Sequence, residues 1–130
     1  MHEANPNSDP GDEPGLRRYR QAIGRYPSLT AAEESALLRS INGGARELLD
    51  PLINAHLRSV ASIAEEYLDQ GLGYRDLIAE GTMGLISAAT RFDETRSSTF
   101  THYAEGQIRR RLVKAISELD GSTSWESARG

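Results

Sequence analysis

The 130-residue chain has 15 basic and 19 acidic residues, a formal net charge of −4, and no cysteine. This length predicts one domain. The lack of cysteine excludes disulfide scaffolds and thiolate metal sites, and no apolar run approaches the ~20 residues that span a bilayer. Because the net charge also argues against generic binding of nucleic acid, we expect a small cytoplasmic domain whose chemistry lies in local motifs.

The first 15 residues are predicted to form a disordered acidic leader. They are rich in asparagine, proline and glycine, and they contain four acidic residues but no lysine or arginine. Such a composition buries too little apolar surface to offset the entropy lost on ordering. The segment also lacks the hydrophobic stretch of a signal peptide.

Helical periodicity begins at residue 16, and the first ordered segment predicts two helices. The first is expected to end at Gly24, because the Tyr26-Pro27 step that follows disfavours helical backbone. The second begins with Thr30 and Glu33 at the spacing of a capping box, in which each side chain accepts a hydrogen bond from the other residue's backbone amide. Its apolar face is expected to carry Leu37, Leu38 and Ile41.

The middle of the chain predicts a short helical turn followed by a longer helix. The turn is expected over residues 45–49, after the Gly43-Gly44 pair. Asp50 and Pro51 have the pattern of an N-cap followed by proline at the first helical position, so the longer helix is expected over residues 51–69. Its predicted core stripe consists of Ile53, Leu57, Val60, Ala64 and Tyr67.

Two further helices complete a predicted all-helical bundle, since no alternating strand pattern interrupts the chain. One is expected over residues 74–91, where Gly81 and Gly84 would allow a neighbouring helix to approach closely. The other is expected over residues 100–119, so that the domain spans residues 16–120 and residues 121–130 form a flexible tail. The expected core residues of these helices are Ile78, Leu85, Ala89, Phe92, Ala104, Ile108, Leu112, Ala115 and Leu119.

No catalytic or metal-binding constellation is found in the sequence. The three histidines, His2, His56 and His102, form neither a zinc-binding pair nor part of a nucleophile motif. The adjacent pairs Glu33-Glu34 and Glu65-Glu66 point apart on a helix, and we expect them to be solvated. The sequence therefore predicts no enzymatic activity, no cofactor and no metal ion.

A basic cluster lies near the end of this acidic chain. Five basic residues accompany one acid, Glu105, between residues 96 and 114. Four of them are arginines, whose planar guanidinium suits phosphate or carboxylate. A solvated helix face and a surface for nucleic acid are both open interpretations. The cluster consists of Arg96, Arg109, Arg110, Arg111 and Lys114.

Two segments resemble the sigma-70 family of bacterial RNA polymerase sigma factors. One is the run Asp76-Leu-Ile-Ala-Glu-Gly-Thr-Met-Gly-Leu85, followed by Arg91-Phe-Asp93. The other extends from Phe100 to Lys114. The likeness continues upstream and covers residues 16–120, which is nearly all of the chain that is expected to be ordered.

In that family, this helical domain binds the clamp helices of the largest subunit of core RNA polymerase. The resemblance implies a docking surface around Asp76 and Glu80, whose carboxylates lie one helical turn apart and could meet basic residues of a partner. Ala79 and Thr82 replace the glutamine and asparagine that are usual in this helix. The implied polymerase-binding residues are Leu57, Val60, Asp76, Glu80, Thr82 and Ile86.

The adjoining segment of the family unpairs promoter DNA and holds a flipped-out base of the unpaired strand. Two tryptophans that the family places at the duplex fork are Gly106 and Gln107 here. Because stacking is worth ~1–3 kcal/mol per base, their loss predicts weaker capture of the fork, and Glu105 adds a negative charge nearby. The implied DNA-binding residues are Phe92, Arg96, Phe100 and Tyr103, which would form the base pocket, with Arg109, Arg110, Val113 and Lys114.

Two functions therefore remain open. The first is a sigma-like factor that binds core polymerase and engages promoter DNA, with a second polypeptide reading the upstream promoter element, because the sequence ends soon after this domain. The second is a regulator that occupies the clamp helices and competes with genuine sigma factors without melting DNA. The arginines with Phe100 and Tyr103 favour the first, whereas the missing tryptophans and Glu105 favour the second. Either protein is expected in the bacterial cytoplasm, near the nucleoid, without membrane association.

Overall fold

The computed structural model describes residues 14–93, 95 and 98–129, with side-chain burial for residues 15–93, 95 and 98–119. Within that part of the chain the backbone forms helices and no strand, which confirms the predicted all-helical bundle. Residues 1–13 of the predicted leader lie outside the described residues, and the last two leader residues already belong to the first helix. The elements are α1 (Pro14–Ile23), α2 (Ala31–Asn42), a 3₁₀ turn (Arg46–Leu48), α3 (Leu49–Ala55), α4 (Leu57–Glu65), α5 (Tyr74–Arg91) and α6 (Phe100–Arg129).

The predicted capping box at the start of α2 is confirmed. The Thr30 hydroxyl accepts a hydrogen bond from the Glu33 amide at 3.1 Å. In return, Glu33 Oε1 accepts one from the Thr30 amide at 2.8 Å. The box fixes the N-terminus of α2 after the loop that follows α1, because it satisfies two amides that the helix itself leaves without an acceptor.

The single helix predicted over residues 51–69 is wrong in three places, one of which is its end, because α4 ends at Glu65. The 3₁₀ turn leads directly into α3, which begins at Leu49, so Asp50 is not its N-cap. The helix is then interrupted at His56, with φ −109° and ψ 7°. His56 Nε2 lies 2.7 Å from Glu34 Oε1 in α2, and its ring packs edge-on against Phe100 in α6 with centroids 5.2 Å apart. These tertiary contacts, which helical periodicity does not encode, hold the side chain at the interruption.

Helix α5 lies at the centre of the bundle and contacts every other helix. Its bounds, Tyr74–Arg91, are those that the periodicity predicts. The predicted close approach at its glycines is also confirmed. A Cβ at Gly81 would lie 2.9 Å from Val60 Cγ1, and a Cβ at Gly84 would lie 3.0 Å from the backbone oxygen of Gln107. Helices α4 and α6 therefore approach the backbone of α5 directly.

The core agrees with the predicted stripes except at the end of α6. Leu119 is 42% exposed, so its assignment to the core is wrong, and α6 continues past it to Arg129 instead of ending near Leu119. Leu37, Leu57, Tyr67, Ile78 and Ala115 are partly buried. No helix among the described residues has the length and apolar character needed to cross a bilayer. The remaining predicted core residues are buried: Leu38, Ile41, Ile53, Val60, Ala64, Leu85, Ala89, Phe92, Ala104, Ile108 and Leu112.

Candidate functional site

The exposed side of α5 carries the implied polymerase contacts on two flanks. Successive helical residues are rotated by about 100°, so Asp76 and Glu80 lie on one flank and Thr82 and Ile86 on the other. Asp76 is exposed, and the other three are partly buried. Met83 lies between the flanks with 49% of its surface exposed. We call these five residues the docking face, which has an apolar centre and carboxylates along one edge.

Met83 was not predicted as a site residue, although the sequence contains a signal for it. It follows Asp76 by seven residues, which places both on the same side of the helix. An apolar residue in an amphipathic helix is assigned to the core by default. Only the packing shows that α4 and α6 cover the opposite side of α5 and leave Met83 exposed.

The two implied contacts from α4 have different positions. Leu57, the first residue of α4, is partly exposed. Val60 is fully buried, at 0% exposure, and lies against the backbone of Gly81. This corrects the assignment of Val60 as a partner contact, because it presents no surface; it supports α5 from beneath.

Glu80 is already engaged within the chain. Its Oε1 accepts a hydrogen bond from Arg111 Nε of α6 at 2.8 Å. The Glu80 side chain is 37% exposed and that of Arg111 is 42% exposed, so water reaches the bridge at the edge of the docking face. Asp76, in contrast, forms no ion pair with any described residue.

The three consecutive arginines of the basic cluster point in different directions, as the rotation along a helix requires. Arg109 binds Glu66 beyond the end of α4, and Arg111 binds Glu80 in α5. Arg110 is exposed. Two of the three guanidinium groups are therefore matched by carboxylates of the same chain, and the cluster does not act as one cationic surface. Val113 and Lys114 lie farther along α6 and are also exposed, whereas Arg96 lies outside the described residues.

The adjacent carboxylates Glu65 and Glu66 point apart, as predicted, but they are not simply solvated. Glu65 Oε2 accepts a hydrogen bond from Arg20 Nε of α1 at 2.7 Å. Glu66 accepts two hydrogen bonds from Arg109 of α6, one of them from Nη2 at 3.1 Å. The hydrogen bond from Arg109 holds the pKa of Glu66 below its ordinary value of 4.5, and the same bond raises the pKa of Arg109.

The implied aromatic base pocket is largely closed. Phe92 is 7% exposed and Phe100 is 3% exposed. Their rings pack edge-on with centroids 5.4 Å apart, and Tyr103 lies 5.5 Å from Phe92. Of these three rings, only that of Tyr103 is partly exposed. This corrects the assignment of Phe92 and Phe100 as stacking surfaces, because their faces are used within the core.

A groove of about 470 Å³ lies beside Tyr103, between the end of α5 and the first turns of α6. A Cβ at Gly106 would meet no atom within 4 Å, so the groove is open where the family places a tryptophan. Arg91 and His102 were not predicted from the sequence; for His102, the spacing of four residues to Gly106 and again to Arg110 was the available signal. We call this site the polar groove, and its lining residues are Arg91, Ser98, His102, Tyr103, Gly106, Gln107 and Arg110.

The docking face and the polar groove both offer binding chemistry. The first combines an exposed thioether with carboxylates, which suits a protein surface with basic residues around an apolar centre. The second combines two arginines with amide, imidazole and phenol groups, which suits phosphate and nucleobase. Across the described residues, no group of three or more histidines, aspartates and glutamates could hold a metal ion.

Comparison with known proteins shows which family the sequence resembles. The family model described as Sigma-70 region 2 matches residues 52–120, a range that includes the docking face and the polar groove. The RNA polymerase sigma factor SigA of Bacillus sp is 41% identical over 103 residues, covering 79% of this chain and 27% of the relative. SigA of Listeria monocytogenes is 42% identical over 103 residues, with 79% and 28% covered. SigA of Lactococcus lactis subsp. cremoris is 40% identical over 110 residues, with 82% and 30% covered. The chain thus spans less than a third of the length of these relatives.

Proposed function

This chain belongs to the sigma-70 family of RNA polymerase sigma factors, and from that membership we propose that it binds core RNA polymerase and engages promoter DNA in transcription initiation. The observation that carries the proposal is the docking face, because it exposes Met83 beside carboxylates on the helix that bears the family motif. Exposed apolar side chains rimmed by polar ones are typical of protein-binding surfaces.

The proposed partner of the docking face is the pair of clamp helices in the largest polymerase subunit. Asp76 offers a carboxylate that no described residue engages, and Met83 and Ile86 offer apolar surface beside it. Leu57 extends this surface from α4. Basic residues on the partner would complement the carboxylate edge and orient the complex.

The proposed contact of the polar groove is the unpaired strand of promoter DNA. Arg91 and Arg110 supply charge for the phosphates, while the partly exposed ring of Tyr103 can stack on one base. Phe92 packs against Tyr103 from the core, and Phe100 packs in turn against Phe92. Lys114 and Val113 would continue the DNA surface along α6, and Arg109 acts indirectly by fixing α6 to α4.

Recognition of the upstream promoter element is proposed to come from a second polypeptide. The other candidate function is that of a regulator, which occupies the clamp helices without opening DNA. For both candidate functions, the proposed location is the bacterial cytoplasm near the nucleoid. The observation that favours the regulator is the open space at Gly106, where an aromatic side chain would support the duplex fork. The relatives, which are named as sigma factors, favour the initiating role.

Reversing the charge of the docking face tests the proposal. We expect Asp76→Lys with Glu80→Lys to weaken binding to core polymerase at least about tenfold, because two favourable contacts become repulsive. Affinity is measured by interferometry with immobilised core polymerase, and circular dichroism checks that the variant remains helical. The matched control is Glu47→Lys with Asp50→Lys, which makes the same charge change at exposed positions outside the docking face. A folded Asp76→Lys, Glu80→Lys variant that binds as tightly as the wild type would refute the docking proposal.

A further inference from the structure

Glu80 of α5 belongs to the docking face and also binds Arg111 of α6. The distance between Arg111 Nε and Glu80 Oε1 is 2.8 Å. The position of Arg111 is fixed by the close packing of the helices, since a Cβ at Gly84 would lie 3.2 Å from Arg111 Cβ. The stem of Arg111 therefore runs along α5, and its guanidinium reaches the carboxylate one turn earlier in that helix.

This bridge changes what Glu80 offers to a partner. Its carboxylate is matched by a cation of the same chain, so a basic residue of a partner has to replace Arg111 before it can bind Glu80 in the same way. Lys114 lies nearby and lines a small cavity of about 150 Å³ together with Glu80, Arg111 and Glu118. The two carboxylates and two cations around this cavity therefore balance in formal charge, so Glu80 presents less net negative charge to a partner than an unmatched carboxylate would.

We propose that Arg111 regulates the docking face: it lowers the affinity for core polymerase, because it competes with basic residues of the polymerase for Glu80. This inference rests on the proposed function. When the competent form of a binding site is only partly populated, the apparent affinity falls by that fraction. A partly exposed ion pair such as that between Arg111 and Glu80 stabilises the paired state only modestly. Here this corresponds to a reduction in affinity of about two- to sixfold.

The test removes the guanidinium and keeps the stem. We expect Arg111→Met to lower the apparent Kd for core polymerase by about two- to sixfold in the absence of DNA. Arg111→Lys, which keeps a charge but offers no fork of donors, is expected to give a smaller gain. The gain should shrink at high salt, where the bridge is screened. Arg46→Met is the control, because it removes the same charge from an exposed residue of the 3₁₀ turn.

A double-mutant cycle with Glu80→Gln identifies the mechanism. If Arg111 acts through Glu80, Arg111→Met produces no gain when Glu80 is already glutamine. An equal gain in that background would show a general effect of charge and would overturn the inference, as would a folded Arg111→Met variant whose affinity is unchanged or weaker. Should Arg111→Met disturb the fold, as judged by its Tm, Arg111→Gln replaces it with a shorter neutral side chain.

The two proposals fail in different ways. If Asp76→Lys with Glu80→Lys binds core polymerase normally, the docking proposal itself is wrong. If that variant loses binding and Arg111→Met gives no gain, the docking face stands and only the competition by Arg111 is refuted.

Discussion

Gly84 and Gly106 are both helical glycines, but the space around their missing side chains differs. At Gly84, a Cβ would lie 3.0 Å from the Gln107 backbone oxygen and 3.1 Å from Ile108 Cα, so α6 occupies the space of the missing side chain. At Gly106, a Cβ would meet nothing within 4 Å. The first glycine therefore serves helix packing, and the second leaves the polar groove open.

Substitution of each glycine by alanine separates these roles. We expect Gly84→Ala to destabilise the protein by about 1–3 kcal/mol, since backbone atoms of α6 cannot move away cheaply. Gly106→Ala is expected to be neutral or to stabilise by about 0.4–1 kcal/mol, because alanine reduces the entropy of the unfolded chain. Urea unfolding measures both. Equal losses of stability would contradict the packing role assigned to Gly84.

At the scale of the helices, the C-terminal end of α4 is linked by ion pairs to two other helices, α1 and α6. Glu65 binds Arg20 of α1, and Glu66 binds Arg109 of α6. Because neighbouring residues on a helix point in different directions, two adjacent carboxylates can hold helices on separate sides. The orientation of α6, and with it the polar groove, depends in part on this connection.

The bridge between Glu66 and Arg109 makes a pH-dependent contribution to stability. The pKa of Glu66 in the folded protein is below its ordinary value of 4.5, so the native state favours the ionised form. Its contribution is present above the unfolded pKa and is lost as the pH falls through the folded pKa. We expect Glu66→Gln to lower the free energy of unfolding near neutral pH by less than about 1 kcal/mol, since the bridge is exposed. The difference from the wild type should vanish below the folded pKa.

Urea unfolding across this pH range provides the measurement. Glu47→Gln is the control, because it makes the same substitution at an exposed carboxylate of the 3₁₀ turn, away from the bridge between α4 and α6. A Glu66→Gln deficit that stays constant from neutral to acidic pH would refute the electrostatic origin.

At the scale of the whole molecule, charge and shape both disfavour strong binding to duplex DNA. The net charge is −4, and carboxylates of the chain itself match Arg109 and Arg111. Of the described residues of the basic cluster, Arg110 and Lys114 remain to neutralise phosphates, and phosphate neutralisation is the main source of non-specific affinity. The polar groove, with the partly exposed ring of Tyr103 and with Gly106 and Gln107 in its lining, suits a strand that is already unpaired.

We therefore predict that the complex with core polymerase initiates better on a pre-melted promoter than on the same duplex. Pre-melting removes the cost of unstacking, which the chain recovers poorly without aromatic side chains at the fork. Gly106→Trp with Gln107→Trp should narrow the difference between the templates. Tyr103→Ala should weaken binding to the pre-melted strand, by about tenfold if one stacked base is lost. Run-off transcription and strand-binding assays measure these effects.

One outcome would favour the regulator instead. If Tyr103→Ala changes nothing on either template, while the wild-type protein still competes with a full-length sigma factor for core polymerase, the chain occupies the clamp helices without engaging DNA. Binding to polymerase alone would not distinguish the two functions, since both require the docking face.

The sequence by itself determined the features that depend on neighbouring residues. The capping box of Thr30 and Glu33, both ends of α5 and the small residues at Gly81 and Gly84 follow from local hydrogen bonding and from one periodicity. The family motif around Asp76 is likewise a contiguous run. Such local features do not depend on which helices pack together. Most of the helical bundle and one edge of the docking face could therefore be predicted from the sequence.

The tertiary structure alone decided which side chain meets which partner. Periodicity marks the apolar side of a helix, but the neighbours that cover it come from distant parts of the chain. The exposure of Met83, the burial of Phe100 and the interruption at His56 therefore had to come from the packing of α5, α6 and α2. The same holds for the basic cluster, in which Arg111 binds Glu80 and Arg109 binds Glu66. Each of these ion pairs depends on the distance between two segments of the chain, which the spacing of residues within one helix does not determine.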